Sequence, residues 1–232
     1  MTNAAATLEA RREAPLAPRW HTALLVGLIV AVASIGLFFM PPASVPSAGG
    51  RSFGLYLPLI VVQGSLLFYV TRVGRQANAL PALLGKGWQR LPRAAGDLLL
   101  ATLGWALIHG IEFGFQSVAP IADSAAFNAM LPHGTQERLS FTIVAILVGF
   151  SEEVVYRGYL QTQFKAFTRS PAAAITLQAL LFGLAHGEQG VAAMARIAIY
   201  GALFGVVSQL RGSLLPTILC HIAIDLRSGL GP

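Results

Sequence analysis

The chain has 232 residues, of which 55% are hydrophobic and 11% are charged. A soluble domain carries about 25% charged residues, so the composition excludes an ordinary water-soluble globule and suits one membrane-embedded domain. The net charge of +6 does not indicate nucleic acid, because the positive residues are scattered between apolar stretches rather than gathered in one patch. The single cysteine, Cys220, excludes an intrachain disulfide and any C-x-x-C metal site, and reads as a small packing residue in a helix.

Residues 1–18 read as a flexible tail. The apolar run from Thr22 to Met40 follows Arg11, Arg12 and Arg19 and is 19 residues long. That exceeds the roughly 7–15 residues of a signal-peptide core and is enough to span a bilayer. Pro41-Pro42 ends it without a clean A-x-A cleavage site, so it is expected as a retained first helix. A turn-rich loop, 41–52, comes next. Further apolar stretches lie near 53–72, 96–118, 139–160, 171–187, 191–210 and 213–226. The fold class expected is all-α: a polytopic transmembrane helical bundle of about seven membrane helices. Its parts are the tail 1–18, N-terminal transmembrane helices within 19–138, and a C-terminal unit, 139–226.

Lys and Arg mark the cytoplasmic loops of membrane proteins. With a cytoplasmic N-terminus, Arg72, Arg75, Lys86, Arg90, Arg93, Lys165, Arg169 and Arg211 join Arg11, Arg12 and Arg19 inside. Only Arg51 and Arg138 then fall in outer loops, with Arg196 and Arg227 near outer ends. Trp20, Trp88 and Trp105 suit interfacial anchoring. Three small-residue spacings, Gly110-x-x-x-Gly114, Gly183-x-x-x-Gly187 and Gly201-x-x-x-Gly205, offer close helix approach. The fourteen arginines against two lysines hint at a bacterial source, and so at an inner-membrane location.

Charged side chains in a bilayer cost about 2.5–3.5 kcal/mol at its centre on insertion scales, so those that persist line cavities or find partners. Ser151-Glu152-Glu153-Val154-Val155-Tyr156-Arg157 directly follows the apolar FTIVAILVGF. On an α-helix Glu153 and Arg157 lie about 40° apart in azimuth, in the favourable Glu-before-Arg order. Glu152 is rotated about 100° away from Glu153, which leaves one carboxylate paired with Arg157 and one free. A free carboxylate in a dry cavity can act as a general base. Two histidine-bearing segments follow. Phe182-Gly183-Leu184-Ala185-His186 sets Phe182 one turn before a histidine, and His221-Ile222-Ala223-Ile224-Asp225 sets a histidine one turn before an acid. A glutamate and two histidines can activate water directly or through a metal.

In this order, E-E-x-x-x-R, F-x-x-x-H and H-x-x-x-D resemble the motifs of the CPBP family. That family comprises the CAAX prenyl endopeptidases, bacteriocin-processing and self-immunity membrane proteins, and relatives of lysostaphin resistance protein A. The resemblance covers roughly 139–226 and implies a C-terminal four-helix catalytic core. It implies intramembrane peptide-bond hydrolysis in a membrane-associated protein or peptide. Glu152 would be the general base, His186 would hold the water or assist proton transfer, and His221 and Asp225 would stabilise the oxyanion. Glu153, Arg157 and Phe182 would be structural or substrate-orienting. An ionised aspartate cannot donate to an oxyanion, so Asp225 is expected to be protonated, to orient His221 through a hydrogen bond, or to touch a metal, with the orienting role favoured. No cofactor is favoured; a zinc ion held by Glu152, His186 and His221 is the alternative.

Among the remaining polar residues, His109 and Glu112 are expected to pair with each other, and Arg196 to snorkel outward or neutralise Glu188. His21 and His133 carry no assignment. Two other functional classes fit a polar-studded bundle: a non-enzymatic immunity or scaffold protein, and a transporter with a proton or cation relay through Glu152, His186 and Asp225.

Overall fold

The computed structural model describes residues 14–39, 50–76, 83–85, 87, 91–118 and 125–231. Among the described residues eight helices follow one another. These are α1 (Arg19–Phe39), α2 (a π-helical turn, Ser52–Tyr56, running into Leu57–Gln76), α3 (Leu91–Val118) and the short α4 (Ala125–Met130). Then come α5 (Gly134–Thr168), α6 (Pro171–Leu184), α7 (Val191–Arg211) and α8 (Leu215–Leu230). Among the described residues there is no strand, only an isolated bridge between Gly85 and Ser213.

Each of the seven expected helices forms, but they are not seven membrane spans. Among the described residues four are long and apolar enough to cross a bilayer: Ser52–Arg72, Leu91–Ser117, Gly134–Thr168 and Val191–Arg211. The apolar stretches Arg19–Ile35 and Pro171–Leu184 are shorter, and α8 has only 16 residues. A bilayer core needs about 20 helical residues, which α6 and α8, at 14 and 16 residues, do not reach. The composition and these spans are those of a multi-pass membrane protein. The tail 1–13, the loop 41–49, Lys86, Trp88, Arg90 and the Arg75 side chain lie outside the described residues.

Local chemistry sets the boundaries around the C-terminal helices. Ser170 caps α6 by accepting from the Ala173 N–H at 3.2 Å, and Pro171 follows at a position where its missing N–H costs nothing. Gly212 closes α7 in the left-handed region, φ 61°, where a side chain would be strained. Helix α5 spans 35 residues and is π-helical over Glu153–Leu160, with the Gln161 N–H reaching back to the Tyr156 carbonyl. It therefore continues well past Arg157, as convergence of the motifs requires.

Helix α5 is the axis of the bundle. It packs against α2 and α8, α8 also lies along α3, and α6 lies along α7. The core crosses from the N-terminal to the C-terminal helices: Ala17, Leu25, Ile29 and Val70 meet Val154, Val155, Tyr156, Tyr159, Leu160 and Phe182. Polar ties reinforce it. Gln163 accepts from the backbone N–H of Leu16 at 2.6 Å and donates to the Ala17 carbonyl at 2.9 Å and to Thr22 Oγ1 at 2.6 Å. His21, unassigned from sequence, is buried, stacks on Tyr69 and hydrogen-bonds Tyr159 at 2.6 Å.

Several polar expectations change. His109 bonds its own helix at the Trp105 carbonyl (2.9 Å) and lies against the Trp105 ring. Its expected partner Glu112 instead takes Arg196 at 2.7 Å and the Tyr200 hydroxyl at 2.5 Å. Arg196 thus finds its acid on α3 rather than at Glu188 or in the headgroups. Arg51 and Arg211, read as loop charges, form ion pairs with Glu137 at 3.4 Å and Asp97 at 2.5 Å. Tertiary contact decides these pairings, and local spacing cannot show it. The Gly110 and Gly114 positions face open space, whereas Gly183, Gly201 and Gly205 lie hard against the neighbouring helix. Cys220 is buried against Gly104, in keeping with a packing role.

Candidate active site

Three helices carry the motif residues to one place. Glu152 and Glu153 lie where α5 passes from α-helical to π-helical winding. Such wider turns alter which way successive side chains point and are frequent at functional sites. Glu153 is fully buried, and its Oε1 meets Arg157 at 2.8 Å, the i,i+4 pair expected from spacing. The same oxygen lies 3.0 Å from Nδ1 of His221 on α8. A carboxylate held beside Arg157 is an acceptor, so Nδ1–H is the donor. That leaves Nε2 as the ring atom available for chemistry.

Nε2 of His221 lies 3.8 Å from Glu152 Oε2 and 3.8 Å from Asp225 Oδ2. Both separations exceed direct hydrogen-bonding reach, so Nε2 engages neither acid directly. Glu152 Oε2 is buried and takes no hydrogen bond from a protein group. Of the two acids, Glu153 at 3.0 Å lies nearer the His221 ring than Asp225 at 3.8 Å.

Glu152 is not wholly free. Its Oε1 accepts from Gln63 Nε2 on α2 at 2.8 Å, and the Gln63 carbonyl oxygen accepts from Ser151 Oγ at 2.7 Å. Gln63 was missed from sequence. Its one signal was a lone amide inside the apolar run LPLIVVQGSLLF.

His186 sits just beyond the end of α6, where the helix breaks into a short 3-10 turn, Gly187–Gln189. Its backbone N–H turns to the Gly183 carbonyl at 3.1 Å, and its ring Nδ1–H takes the Phe182 carbonyl at 2.8 Å. The ring thus satisfies a carbonyl left over at a helix end and keeps Nε2 for another partner. Phe182 separates the two histidines, with ring centroids 5.0 Å from His186 and 5.9 Å from His221. The Arg157 guanidinium carbon lies 4.2 Å from the Phe182 centroid and 5.3 Å from that of Phe204. Stacking of that kind suits a desolvated guanidinium.

The zinc alternative does not fit this arrangement. Among the described residues no three His, Cys, Asp or Glu side chains are grouped to hold a metal ion. No step below is routed through a metal.

Residues 134–227 match the family described as type II CAAX prenyl endopeptidase Rce1-like. This region is an Rce1-like domain of the CPBP family. It begins at the first residue of α5 and closes within α8, so it contains Glu152, Glu153, Arg157, Phe182, His186, His221 and Asp225. No curated protein and no solved structure matches the chain.

Proposed function

We propose that the protein is an intramembrane endopeptidase in which Glu152 activates water against a peptide bond of a membrane-associated protein or peptide. The observation that carries this reading is the facing of Glu152 Oε2, His221 Nε2 and Asp225 Oδ2 within an Rce1-like domain. The family's description, a prenyl endopeptidase, supports hydrolysis as the reaction class.

In this mechanism Glu152 Oε2 takes a proton from water as the water oxygen bonds to the scissile carbonyl carbon. The carbonyl becomes an oxyanion, and His221, as the imidazolium with Nδ1–H on Glu153 and a second proton on Nε2, donates to it from Nε2. Glu153 holds that ring in place and Arg157 holds Glu153. His186, with Nε2 unengaged by the helix end, holds the water or assists its proton transfer. Glu152 then returns the proton to the leaving amine nitrogen as the C–N bond breaks. Asp225 is a second acceptor beside Nε2, placed to hold water or a substrate N–H. The distribution of Lys and Arg supports a cytoplasmic N-terminus, and the arginine-rich composition supports a bacterial inner membrane.

The test is cleavage of fluorogenic membrane-anchored peptides by purified wild type and Glu152→Gln, with and without chelator. General-base removal is expected to cost about 100-fold or more in kcat, with chelator indifferent. Hydrolysis that survives Glu152→Gln sinks the assignment, and a wild type inert toward every peptide favours a scaffold or transporter. Inhibition by chelator would put a metal among Glu152, His186 and His221.

A further inference from the structure

Gln63 stands in α2, outside residues 134–227 that match the endopeptidase family. It is 7% exposed and stands among Val61, Val62, Leu66 and Leu67, in a helix otherwise suited to lipid. Its amide is engaged at both ends: Nε2 donates to Glu152 Oε1 at 2.8 Å, and Oε1 accepts from Ser151 Oγ at 2.7 Å. Ser151 and Glu152 are consecutive residues of α5, and Ser151 is fully buried. A primary amide has one donor end and one acceptor end. The carboxylate accepts only and so takes the amide's donor end, the Ser151 hydroxyl donates to the other end, and two bonds to adjacent residues prevent the amide from rotating away.

We infer that Gln63 is a positioning residue for Glu152. It occupies Oε1 and leaves Oε2, the oxygen facing His221 and Asp225, as the atom that accepts the proton from water. This inference rests on the reading of Glu152 as the general base. It adds that the base is aimed from a helix beyond the family-matched region. A glutamine that merely joined two helices through a hydrogen bond in lipid would affect folding and leave the chemical step alone. A positioning glutamine acts on kcat, because a small misplacement of a catalytic group is felt mainly in the transition state.

The experiment uses the full chain in nanodiscs and a membrane-anchored fluorogenic peptide, with wild type, Glu152→Gln, Gln63→Met, Ser151→Ala and the double variant Gln63→Met/Ser151→Ala. Gln63→Met keeps the length of the side chain and removes the donor. A hydrogen bond to a charged group is worth enough that about a tenfold loss of kcat or more is expected, with KM within about twofold of wild type. Ser151→Ala, which frees the amide to turn over, is expected to lower kcat less. The double variant is expected to be no worse than Gln63→Met alone, because the two act in series. Should Gln63→Met fail to fold, Ser151→Ala carries the test. Wild-type kcat in both single variants, beside a dead Glu152→Gln, overturns the positioning role and leaves the base intact. Losses that multiply in the double variant also overturn it. An active Glu152→Gln, or an inert wild type, overturns the base assignment and this inference together.

Discussion

Arg157 carries its charge where its side chain has 0% exposure, against an equally buried Glu153 at 2.8 Å and the face of Phe182. Removing one member of a buried pair leaves the other uncompensated, at about 3–5 kcal/mol, whereas removing both together can be nearly neutral. Arg157→Met is therefore expected to lower the thermal midpoint in detergent sharply, and the double change Glu153→Gln/Arg157→Met to recover much of that loss. Equal midpoints for the single and double variants would show that the pair is not the source of the cost. The i,i+4 pairing was legible in the sequence because a helix makes it local. That Glu153 also fixes His221, 68 positions later, was not legible, since spacing carries no information about which helices touch. The same limit hid Gln63 and sent His109 toward the wrong acid.

Helices α6 and α7 approach closely because glycines line their seam. A Cβ at Gly205 would stand 2.6 Å from Gln178 Nε2 and 2.9 Å from Gln161 Oε1, and one at Gly201 would press on Phe182 and Ala179. Those amides in turn donate to the Gly201 and Gly205 carbonyls, at 2.9 and 3.0 Å, so polar side chains occupy the room the glycines leave. Gly205→Leu is expected to destabilise by about 1–3 kcal/mol through overpacking. Gly110→Ala, which meets open space, is expected to stay within about 0.5 kcal/mol of wild type. Thermal unfolding in detergent compares the two, and equal effects would contradict this account of the seam. The helices could be read from apolar run length, though several of their ends lie three to eight residues away from the ends of those runs. Which of the three glycine spacings is used could not, because sequence does not say which helix face meets a neighbour.

Taken as a whole, the molecule has a core that ignores the boundary of its recognised domain. Val154, Val155, Tyr159 and Leu160 within that domain pack on Ala17, Leu25, Ile29 and Val70 outside it. A fragment of residues 134–227 is expected to aggregate or to run as mixed species on size exclusion in mild detergent. Co-expression with 1–133 is expected to restore one species. A monodisperse fragment with Glu152-dependent hydrolysis would show that the N-terminal helices are dispensable. The expected division into N-terminal helices and a C-terminal unit rested on motif content alone, because helix packing across that line leaves no local mark in the sequence. The long reach from Leu16 to Gln163, 147 positions apart, has a consequence for biosynthesis. Ribosomes deliver about 5–20 residues per second, so the start of α1 emerges roughly 7–30 s before its anchor on α5 exists. During that interval the first helix is a lodger in the bilayer or the insertion machinery, and its docking waits for α5 rather than beginning the assembly of the bundle.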